Sequence, residues 1–196
     1  MVNKEKYTKY MELFLEENSK VNLISKNDEK FLWEKHVLDS LGIEKFFDRY
    51  GICKTLLDVG TGGGFPALPI ALTYPEIQVT AVDSIAKKIR AIMAISSKMG
   101  LTNISPTCAR VETLTGEYDV VTSRAVSSLK NICEYALPKL KKGGYFVAYK
   151  SRKTSEEIEE AKSVLKKYKA EIVEILEYGL PLEENLTRNL IVIKRK

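Results

Sequence analysis

The chain has 196 residues, of which 44% are apolar and 29% are charged, a balance typical of a globular domain. No stretch approaches the roughly 20 apolar residues of a membrane-spanning helix, and the mixed-charge start is unlike a secretory signal. We therefore expect a cytoplasmic protein with no membrane partner. The net charge of +5 permits an acidic or nucleic-acid partner but does not require one.

The first 50 residues have a helical pattern, because their apolar residues recur at intervals of three and four. The residues that set this spacing are Tyr7, Tyr10, Met11, Phe14 and Leu15. A second helical stretch follows the turn-like segment 25–28, with Asp28 as its expected N-cap. Since no linker follows, we expect residues 1–50 to pack as a helical extension on a body of residues 51–196, forming one structural unit.

From residue 51 onward, short apolar runs alternate with helical stretches. The predicted strands are 55–59, 77–82, 104–109, 118–122, 145–149, 171–178 and 189–194. The first predicted helix of the body begins at Pro66. The other three predicted helices cover 86–99, which Gly100 closes, 132–140 and 155–168. This alternation predicts an α/β, Rossmann-like fold with a doubly wound, mostly parallel, seven-stranded sheet. Because no helix separates the last two strands, we expect them to form an antiparallel edge.

The three cysteines, Cys53, Cys108 and Cys133, are far apart and form no Cys-x-x-Cys pair. This spacing argues against a disulfide framework and against a zinc site. We expect three small buried apolar residues and no bound metal.

The turn after the first predicted strand carries Gly60, Gly62 and Gly64 in a G-x-G-x-G pattern. In open parallel sheets, ligands bind beyond the carboxyl ends of the strands, where glycines leave room for a ligand against the backbone. Asp83 ends the second strand, close to the spacing of roughly 20 residues at which an acidic residue bonds ribose hydroxyls. The glycine turn and Asp83 together predict a nucleoside-containing cofactor.

The pattern favours S-adenosylmethionine (SAM) over NAD as that cofactor. A dinucleotide fingerprint reads G-x-G-x-x-G, and its last position here holds Phe65 or Ala67, depending on the starting glycine. SAM has no phosphate to place there, but it needs carboxylate acceptors, which Asp58 and Asp83 can supply. Phe65 either packs against the ligand or lies in the core. A NAD-dependent oxidoreductase remains the alternative.

Further short segments of the sequence indicate one protein family. In the extension they are 21–24 (VNLI) and 36–41 (HVLDSL). In the body they are 58–66 (DVGTGGGFP), 83–84 with 87–88 (DS, KK), 110–112 (RVE), 118–126 (YDVVTSRAV) and 188–193 (RNLIVI). Together these segments resemble the bacterial 16S rRNA guanine-N7 methyltransferases, also called glucose-inhibited division protein B, over nearly the whole chain. The sequence departs from that family at Ala67, where glycine is usual, and at 149–151 (YKS), where many members have Lys-Gly.

The resemblance implies a class I SAM-dependent methyltransferase fold and methylation of a guanosine N7 in the decoding-region loop of 16S rRNA. Position by position, it implies that Gly60 and Phe65 line the methionine and ribose part of the cofactor pocket, which Gly62 also lines. The remaining implied cofactor residues are Asp83, Ser84 and Ile85 at the ribose and adenine, Val111 and Glu112 beside the adenine, and Arg124 at the reacting centre.

Methylation at guanine N7 needs little acid–base chemistry. N7 already carries an in-plane lone pair and attacks the methyl group directly, so no general base is required. Alignment of the reactants can supply on the order of 7–11 kcal/mol of such a barrier. We therefore expect Arg124 to act on the substrate, by bonding the guanine edge or a phosphate or by stacking on the base. The alternative for Arg124 is a surface salt bridge with a helix carboxylate.

The RNA-binding residues are less evident than the cofactor residues. The segment from Lys139 to Lys153 carries six Lys or Arg residues and no carboxylate, with Tyr145 and Tyr149 interleaved. It either follows a phosphate backbone or forms a solvated face. His36 and Trp33 can touch RNA, although we expect His36 to pack the extension on the body and Trp33 to lie in the core.

Few residues are candidates for reading bases, so we expect the protein to meet 16S rRNA within the small ribosomal subunit or an assembly intermediate. We also expect the protein to be a monomer. Two alternatives remain besides the oxidoreductase. One is a SAM-dependent methyltransferase with another RNA or a protein as its target. The other is a non-catalytic RNA-binding module, against which the intact glycine turn and Asp83 argue.

Overall fold

The computed structural model describes residues 3–124, 127–151, 155–182 and 186–196. Four residues of the predicted motifs, Ala125, Val126, Arg152 and Lys153, lie outside the described residues. None of the described helices is both long and apolar enough to cross a membrane.

Most of residues 4–50 are helical, as the periodicity of this part of the sequence predicts. A short 3-10 turn (Lys4–Tyr7) leads into α1 (Thr8–Val21), and α2 (Lys26–Glu29) follows. A π-helical segment (Leu32–Leu38) continues into α3 (Asp39–Leu41), and α4 (Glu44–Tyr50) leads into the body.

The predicted N-cap of the second helical stretch is wrong by three residues. Ser25 caps α2, because its hydroxyl oxygen accepts a hydrogen bond from the backbone N–H of Asp28. The Ser25 hydroxyl in turn donates to the Asp28 carboxylate at 2.7 Å. Asp28 therefore lies in the first turn, where a negative charge is favourable beside the free N–H groups.

The body contains the predicted seven-stranded sheet. Its strands are β1 (Thr55–Val59), β2 (Gln78–Asp83), β3 (Ile104–Cys108), β4 (Tyr118–Arg124), β5 (Leu140–Lys150), β6 (Ala170–Leu180) and β7 (Leu186–Arg195). The strand order is β3-β2-β1-β4-β5-β7-β6, with β1 to β5 parallel. β7 runs antiparallel to both β5 and β6, so the last two strands form the predicted antiparallel edge.

Helices cover both faces of this sheet. They are α5 (Ala67–Thr73), α6 (Ala86–Met99), α7 (Leu129–Ala136) and α8 (Ser155–Lys167). α6 has the predicted bounds, and Gly100 ends it in the left-handed conformation with φ of 68°. α7 ends earlier than predicted and continues as a 3-10 turn (Leu137–Lys139), because Pro138 has no backbone N–H to continue the α-helical hydrogen bonds.

The core forms one apolar layer on each face of the sheet. One layer contains α5, α6 and the extension, whose Tyr7, Phe14 and Phe46 are almost completely buried. The other layer contains α7 and α8. The extension therefore helps to cover one face of the sheet, which holds it beside the carboxyl ends of the parallel strands.

The prediction of three buried cysteines is wrong for two of them. Cys133 is buried in α7, Cys53 is partly buried, and Cys108 is exposed at the end of β3. A strand end faces the rim of the sheet, so an apolar run in the sequence does not guarantee burial there. The described residues contain no group of three or more His, Cys, Asp or Glu side chains that could hold a metal ion.

Candidate functional site

The glycine turn follows β1 at the point where the sheet reverses its winding. From β1 the chain winds through β2 to β3 on one side and then returns to β4 on the other. In such sheets a crevice opens at the carboxyl ends of the two central strands. Here those ends carry Gly60 and Arg124.

Two glycines of this turn have different structural requirements. Gly62 has a φ of 57°, and a Cβ there would meet nothing nearer than the Gly60 carbonyl oxygen at 3.8 Å. Gly64 has a φ of 88°, and its Cβ would lie 2.5 Å from Leu68 Cδ1. Gly64 is therefore required by packing, whereas Gly62 leaves space open above the turn.

Asp83 ties the end of β2 to the glycine turn. Its Oδ2 accepts a hydrogen bond from the Gly62 backbone N–H at 2.9 Å, and its Oδ1 accepts one from Ile85 at 2.9 Å. The side chain is partly exposed at the rim of the crevice. A carboxylate oxygen has two lone-pair sites, so each oxygen retains one for a further donor.

All nine predicted site residues line one cleft of about 830 Å³, hereafter the cofactor cleft. These residues are Gly60, Gly62, Phe65, Asp83, Ser84, Ile85, Val111, Glu112 and Arg124. The extension closes one side of the cleft through Leu23, which lies 3.3 Å from the position of a Cβ on Gly63. The size falls within the roughly 300–1,000 Å³ of small-molecule sites.

Asp58 does not line the cofactor cleft, and its predicted role as a ligand acceptor is wrong. The side chain is completely buried beneath the turn, where Thr122 donates to its Oδ1 at 3.0 Å. Burial raises the pKa of this carboxyl to about 7. A carboxylate at the last position but one of a central strand points into a helix-covered face, so it cannot reach a ligand above the turn.

Phe65 combines the two roles that the sequence left open. Its ring is only 3% exposed and packs against Phe14 and His36, with ring centroids 5.0 Å away in each case. The Arg124 guanidinium lies over the same ring, 5.1 Å from its centroid. Phe65 is thus a core residue whose edge still contributes to the cleft wall.

Arg124 links the body to the extension. Its Nη1 donates to Asp39 Oδ2 at 2.8 Å and to the Lys35 carbonyl oxygen at 3.1 Å. Its Nη2 lies 3.0 Å from His36 Nδ1. The expected alternative, an ion pair with a helix carboxylate, is therefore present. The pair is not on the surface, because the two side chains are only 15% and 6% exposed.

His36 is neutral in this arrangement. Burial, together with the nearby Arg124 charge, lowers its pKa to about 4. A guanidinium only donates, so Nδ1 accepts and Nε2 carries the proton. The buried Nε2 has no hydrogen-bond partner within the described parts of the chain. The expectation that His36 packs the extension on the body is confirmed, and the residue also lines the cofactor cleft. Trp33 is partly buried against Tyr7.

A second cleft of about 630 Å³ adjoins the cofactor cleft. The two share Asp28, His36 and Arg124 as a common wall. The sequence did not single out three charged residues that line the second cleft, namely Lys35, Asp39 and Arg188. Asp39 and Arg188 fall within the segments 36–41 and 188–193 that carry the family resemblance, so that signal could have indicated them.

The basic segment does not form a continuous phosphate track. Lys139 and Lys141 lie at the amino end of β5, whereas Lys150 lies at its carboxyl end, about 30 Å away for a strand of this length. Lys141 pairs with Asp119, and Lys150 pairs with Glu157 at 2.6 Å. Tyr149 is buried and donates to the Ser40 carbonyl oxygen. Of the described lysines in this segment, only Lys150 lines either of the two clefts.

Comparison with known proteins gives the same family for most of the chain. A family model described as rRNA small subunit methyltransferase G matches residues 3–187. A protein of that name from Bacillus licheniformis is 39% identical, over 98% of this chain and 82% of the relative. The proteins of the same name from Exiguobacterium sibiricum and Staphylococcus aureus are 36% and 37% identical over the same shares.

Solved structures share the fold at low sequence identity. The N-methyltransferase NodS from Bradyrhizobium japonicum, in complex with S-adenosyl-L-homocysteine, aligns with a TM-score of 0.63. Its identity is 13%, over 93% of this chain and 98% of NodS. A ribosomal protein L11 methylase from Lactobacillus delbrueckii aligns at 0.60 with 19% identity, over 81% and 77% of the two chains. The fold is therefore that of class I SAM-dependent methyltransferases, and the chain belongs to the rRNA small subunit methyltransferase G family.

Proposed function

We propose that this protein transfers a methyl group from SAM to N7 of a guanosine in the decoding-region loop of 16S rRNA. The observation that carries the proposal is the convergence of all nine expected residues on one cleft, in a chain of this family. The nine residues are proposed as the cofactor site, with Arg124 also acting on the substrate.

The residues of the cofactor cleft fit SAM. The open space above Gly62 accepts a ligand that lies directly on the backbone, which any Cβ at that position would obstruct. Asp83 keeps acceptor capacity for two ribose hydroxyls after bonding Gly62 and Ile85. Ile85 and Val111 offer apolar walls for the adenine. When bound, SAM supplies a methyl group activated by its sulfonium.

The described residues then have to orient a guanine and exclude water. The guanine N7 lone pair is the nucleophile, so a donor aimed at N7 would block the reaction, whereas a donor aimed at O6 would not. Arg124 donates both Nη1 hydrogens and one Nη2 hydrogen to residues of the extension. Its Nε–H and one Nη2–H therefore remain as donors. We assign these remaining donors to guanine O6 or to a phosphate. The ring of Phe65 and the neutral His36 shield the site from water.

The decisive experiment offers the protein radiolabelled SAM together with three acceptors: unmethylated small subunits, free 16S rRNA and total cellular protein. We expect label in rRNA, located at a guanine N7 by nucleoside mass spectrometry. Label only in protein would overturn the rRNA assignment. Calorimetry with SAM, S-adenosylhomocysteine and NAD tests the oxidoreductase alternative. Binding of NAD without binding of SAM would show that SAM is not the cofactor.

The finer features of the proposal concern assembly and location. We propose a cytoplasmic monomer that meets its rRNA in the small subunit or in an assembly intermediate. The extension (1–50) and the body (51–196) are proposed as one structural unit, supported by the apolar layer that contains residues of both. Sedimentation of the purified protein, alone and with small subunits, tests the monomer and the subunit contact.

A further inference from the structure

We infer that a third cleft, at the edge of the sheet opposite to the cofactor cleft, binds a single-stranded segment of RNA through Lys54 and Lys142. The inference deepens the proposed function and rests on it for the identity of the RNA, which is a segment of the same rRNA outside the target site.

The third cleft lies across the amino ends of the central parallel strands and is called the amino-end cleft below. Its volume is about 550 Å³. Its lining includes Lys54 before β1, Asp119 at the start of β4 and Tyr145 of β5. Along β1, Lys54 is separated from Gly60 by about 20 Å, at roughly 3.3 Å per residue. A nucleotide at the methyl donor therefore cannot also fill the amino-end cleft, whose ligand has to be another part of the RNA.

The charge of the amino-end cleft is positive. Its described lining contains three cations and one carboxylate, namely Lys54, Lys141, Lys142 and Asp119. Asp119 is already engaged, since its Oδ1 lies 2.7 Å from Lys141 Nζ and its Oδ2 accepts two hydrogen bonds from Thr55 at 2.9 Å. Lys54 and Lys142 are exposed, and neither has an ion pair or a side-chain hydrogen bond within the described parts of the chain. Two positive charges are thus available for an anionic ligand.

Three further carboxylates near the amino ends of the strands each have a cationic partner of their own. The pairs are Glu117–Arg195 (3.3 Å), Glu171–Lys196 (2.8 Å) and Glu174–Arg49 (3.4 Å). These three carboxylates therefore do not neutralise Lys54 or Lys142.

The sheet fixes the backbone of both lysines. Lys54 directly precedes β1, and its carbonyl oxygen accepts a hydrogen bond at 2.9 Å from the first residue of β2. Lys142 belongs to an irregularity in β5, where residues 141–144 stand opposite Asp119 alone. Gly144 allows this close approach, because a Cβ there would lie 2.9 Å from the Asp119 carbonyl oxygen. Bulges of this kind turn a side chain out of the regular ladder, and here they present Lys142 to the cleft.

Aromatic rings beside the lysines favour RNA over a small inorganic anion. Tyr50 and Tyr145 both line the cleft, are partly buried, and have ring centroids 4.9 Å apart. Lys194 Nζ lies 5.2 Å from the Tyr145 centroid and adds a third cation beside the cleft. Proteins that bind single-stranded nucleic acid combine cations along the phosphates with aromatic rings against the bases. The amino-end cleft has both groups in one place.

The test measures binding of a fluorescein-labelled oligouridylate of roughly 12 nucleotides, which contains no guanine to methylate. The double variant Lys54→Ala/Lys142→Ala is compared with Lys162→Ala/Lys166→Ala. The latter is a matched control, because it removes the same charge from exposed lysines of α8 on the other face of the sheet. Thermal unfolding and S-adenosylhomocysteine affinity establish that each variant is folded.

We expect the Kd for the oligouridylate to rise at least fivefold in Lys54→Ala/Lys142→Ala and less than twofold in the control. The slope of log Kd against log salt should flatten by about 1.4, because each phosphate contact with a single strand contributes about 0.7. Equal Kd values and equal slopes in the two double variants would overturn the inference.

Crosslinking locates the RNA without relying on a loss of affinity. An oligouridylate that carries 4-thiouridine is irradiated with the wild-type protein, and the modified peptides are identified by mass spectrometry. We expect crosslinks within residues 50–54 or 141–145. Crosslinks confined to the residues of the cofactor cleft and the second cleft would contradict the inference.

Failure of this inference and failure of the proposed function give different results. If the wild type methylates no rRNA guanosine, the proposed function is wrong, and a loss of oligouridylate binding specific to Lys54→Ala/Lys142→Ala still supports RNA in the amino-end cleft. If rRNA is methylated but the two double variants bind the oligouridylate alike, only the inference is wrong. If Lys54→Ala/Lys142→Ala weakens sedimentation with small subunits but not oligouridylate binding, the cleft contacts a protein and the assignment to RNA is wrong.

Discussion

The Arg124 guanidinium at the end of β4 lies 2.8 Å from the Asp39 carboxylate at the start of α3. This ion pair joins two segments 85 residues apart and forms part of the wall between the two clefts. Asp39 is only 4% exposed and also accepts a hydrogen bond from the Tyr178 hydroxyl on β6. One carboxylate therefore connects the extension, the centre of the sheet and its edge.

Removal of the Asp39 carboxylate should strongly destabilise the protein. We expect Asp39→Ala to lower the free energy of unfolding by about 3–5 kcal/mol, because it leaves Arg124 buried without its counter-charge. Urea denaturation measures the loss. Asp39→Asn keeps an oxygen acceptor and should lose less. A free energy of unfolding that changes by less than 1 kcal/mol in Asp39→Ala would contradict the role of this pair.

Arg124 should matter more for turnover than for cofactor affinity. We expect Arg124→Ala to bind S-adenosylhomocysteine within a few-fold of wild type but to lose most of its kcat. The physical reason is that the side chain lies at the boundary of the two clefts and faces the extension and the substrate side. Calorimetry and single-turnover methylation are the two measurements. A collapse of cofactor affinity in a folded variant would show that the assigned substrate role is wrong.

Gly62→Val should abolish cofactor binding while leaving the protein folded. The added side chain would project into open space above the turn, where the ligand lies. Gly100→Val is the matched control, because Gly100 has a similar φ of 68° and equally open space but closes α6 away from the cleft. Both variants bear the strain of a β-branched residue at positive φ. Normal S-adenosylhomocysteine affinity in Gly62→Val would show that the cofactor does not bind above this turn.

His36 should make the protein less stable as the pH falls. Its pKa is about 4 in the folded protein and 6.5 in the unfolded chain, so the unfolded chain takes up the proton first. Between pH 6.5 and 4 the loss amounts to about 3 kcal/mol. Asp58 acts in the opposite direction, because its folded pKa of about 7 exceeds the unfolded value of 3.8. Its contribution is lost as the pH rises from about 4 to 7.

Two variants separate these opposing effects in urea denaturation at several pH values. His36→Gln should weaken the decline in stability below pH 6.5, and Asp58→Asn should weaken the decline toward pH 7. Asparagine keeps the oxygen that accepts from Thr122. If the stability of both variants has the same pH dependence as that of the wild type, the pKa shifts assigned to the buried His36 and Asp58 are wrong.

The three cysteines should react with a thiol reagent in the order of their exposure. Cys108 is exposed and should react first, whereas Cys53 is partly buried and Cys133 is buried. Burial raises the pKa of both Cys53 and Cys133 to about 12, which further slows them, since the thiolate is the reactive species. Ellman titration of the native protein should show one fast thiol. Cys108→Ser should abolish that phase, and its survival would refute the order.

Local structure could be predicted where one segment carries its own signal. The helix Ala86–Met99 and its Gly100 cap have the predicted bounds, because amphipathic spacing and the terminal glycine lie within the segment itself. The strand predicted at 145–149 proved to be Leu140–Lys150. Gly143 and its lysine neighbours are typical of a turn, but partners in β4 extend the strand across an irregularity in the pairing with Tyr118–Val120.

The amino-acid sequence by itself determined the seven-stranded sheet and the glycine turn with Asp83. Spacing and residue type carry this information, because a parallel sheet brings the carboxyl ends of its strands together. The full set of residues expected in the cofactor cleft followed from the family resemblance. Only the tertiary structure decided that Asp58 is buried and that Arg124 pairs with Asp39. The role of a charge depends on its burial and its distance from other charges, and those are set by segments far apart in the chain.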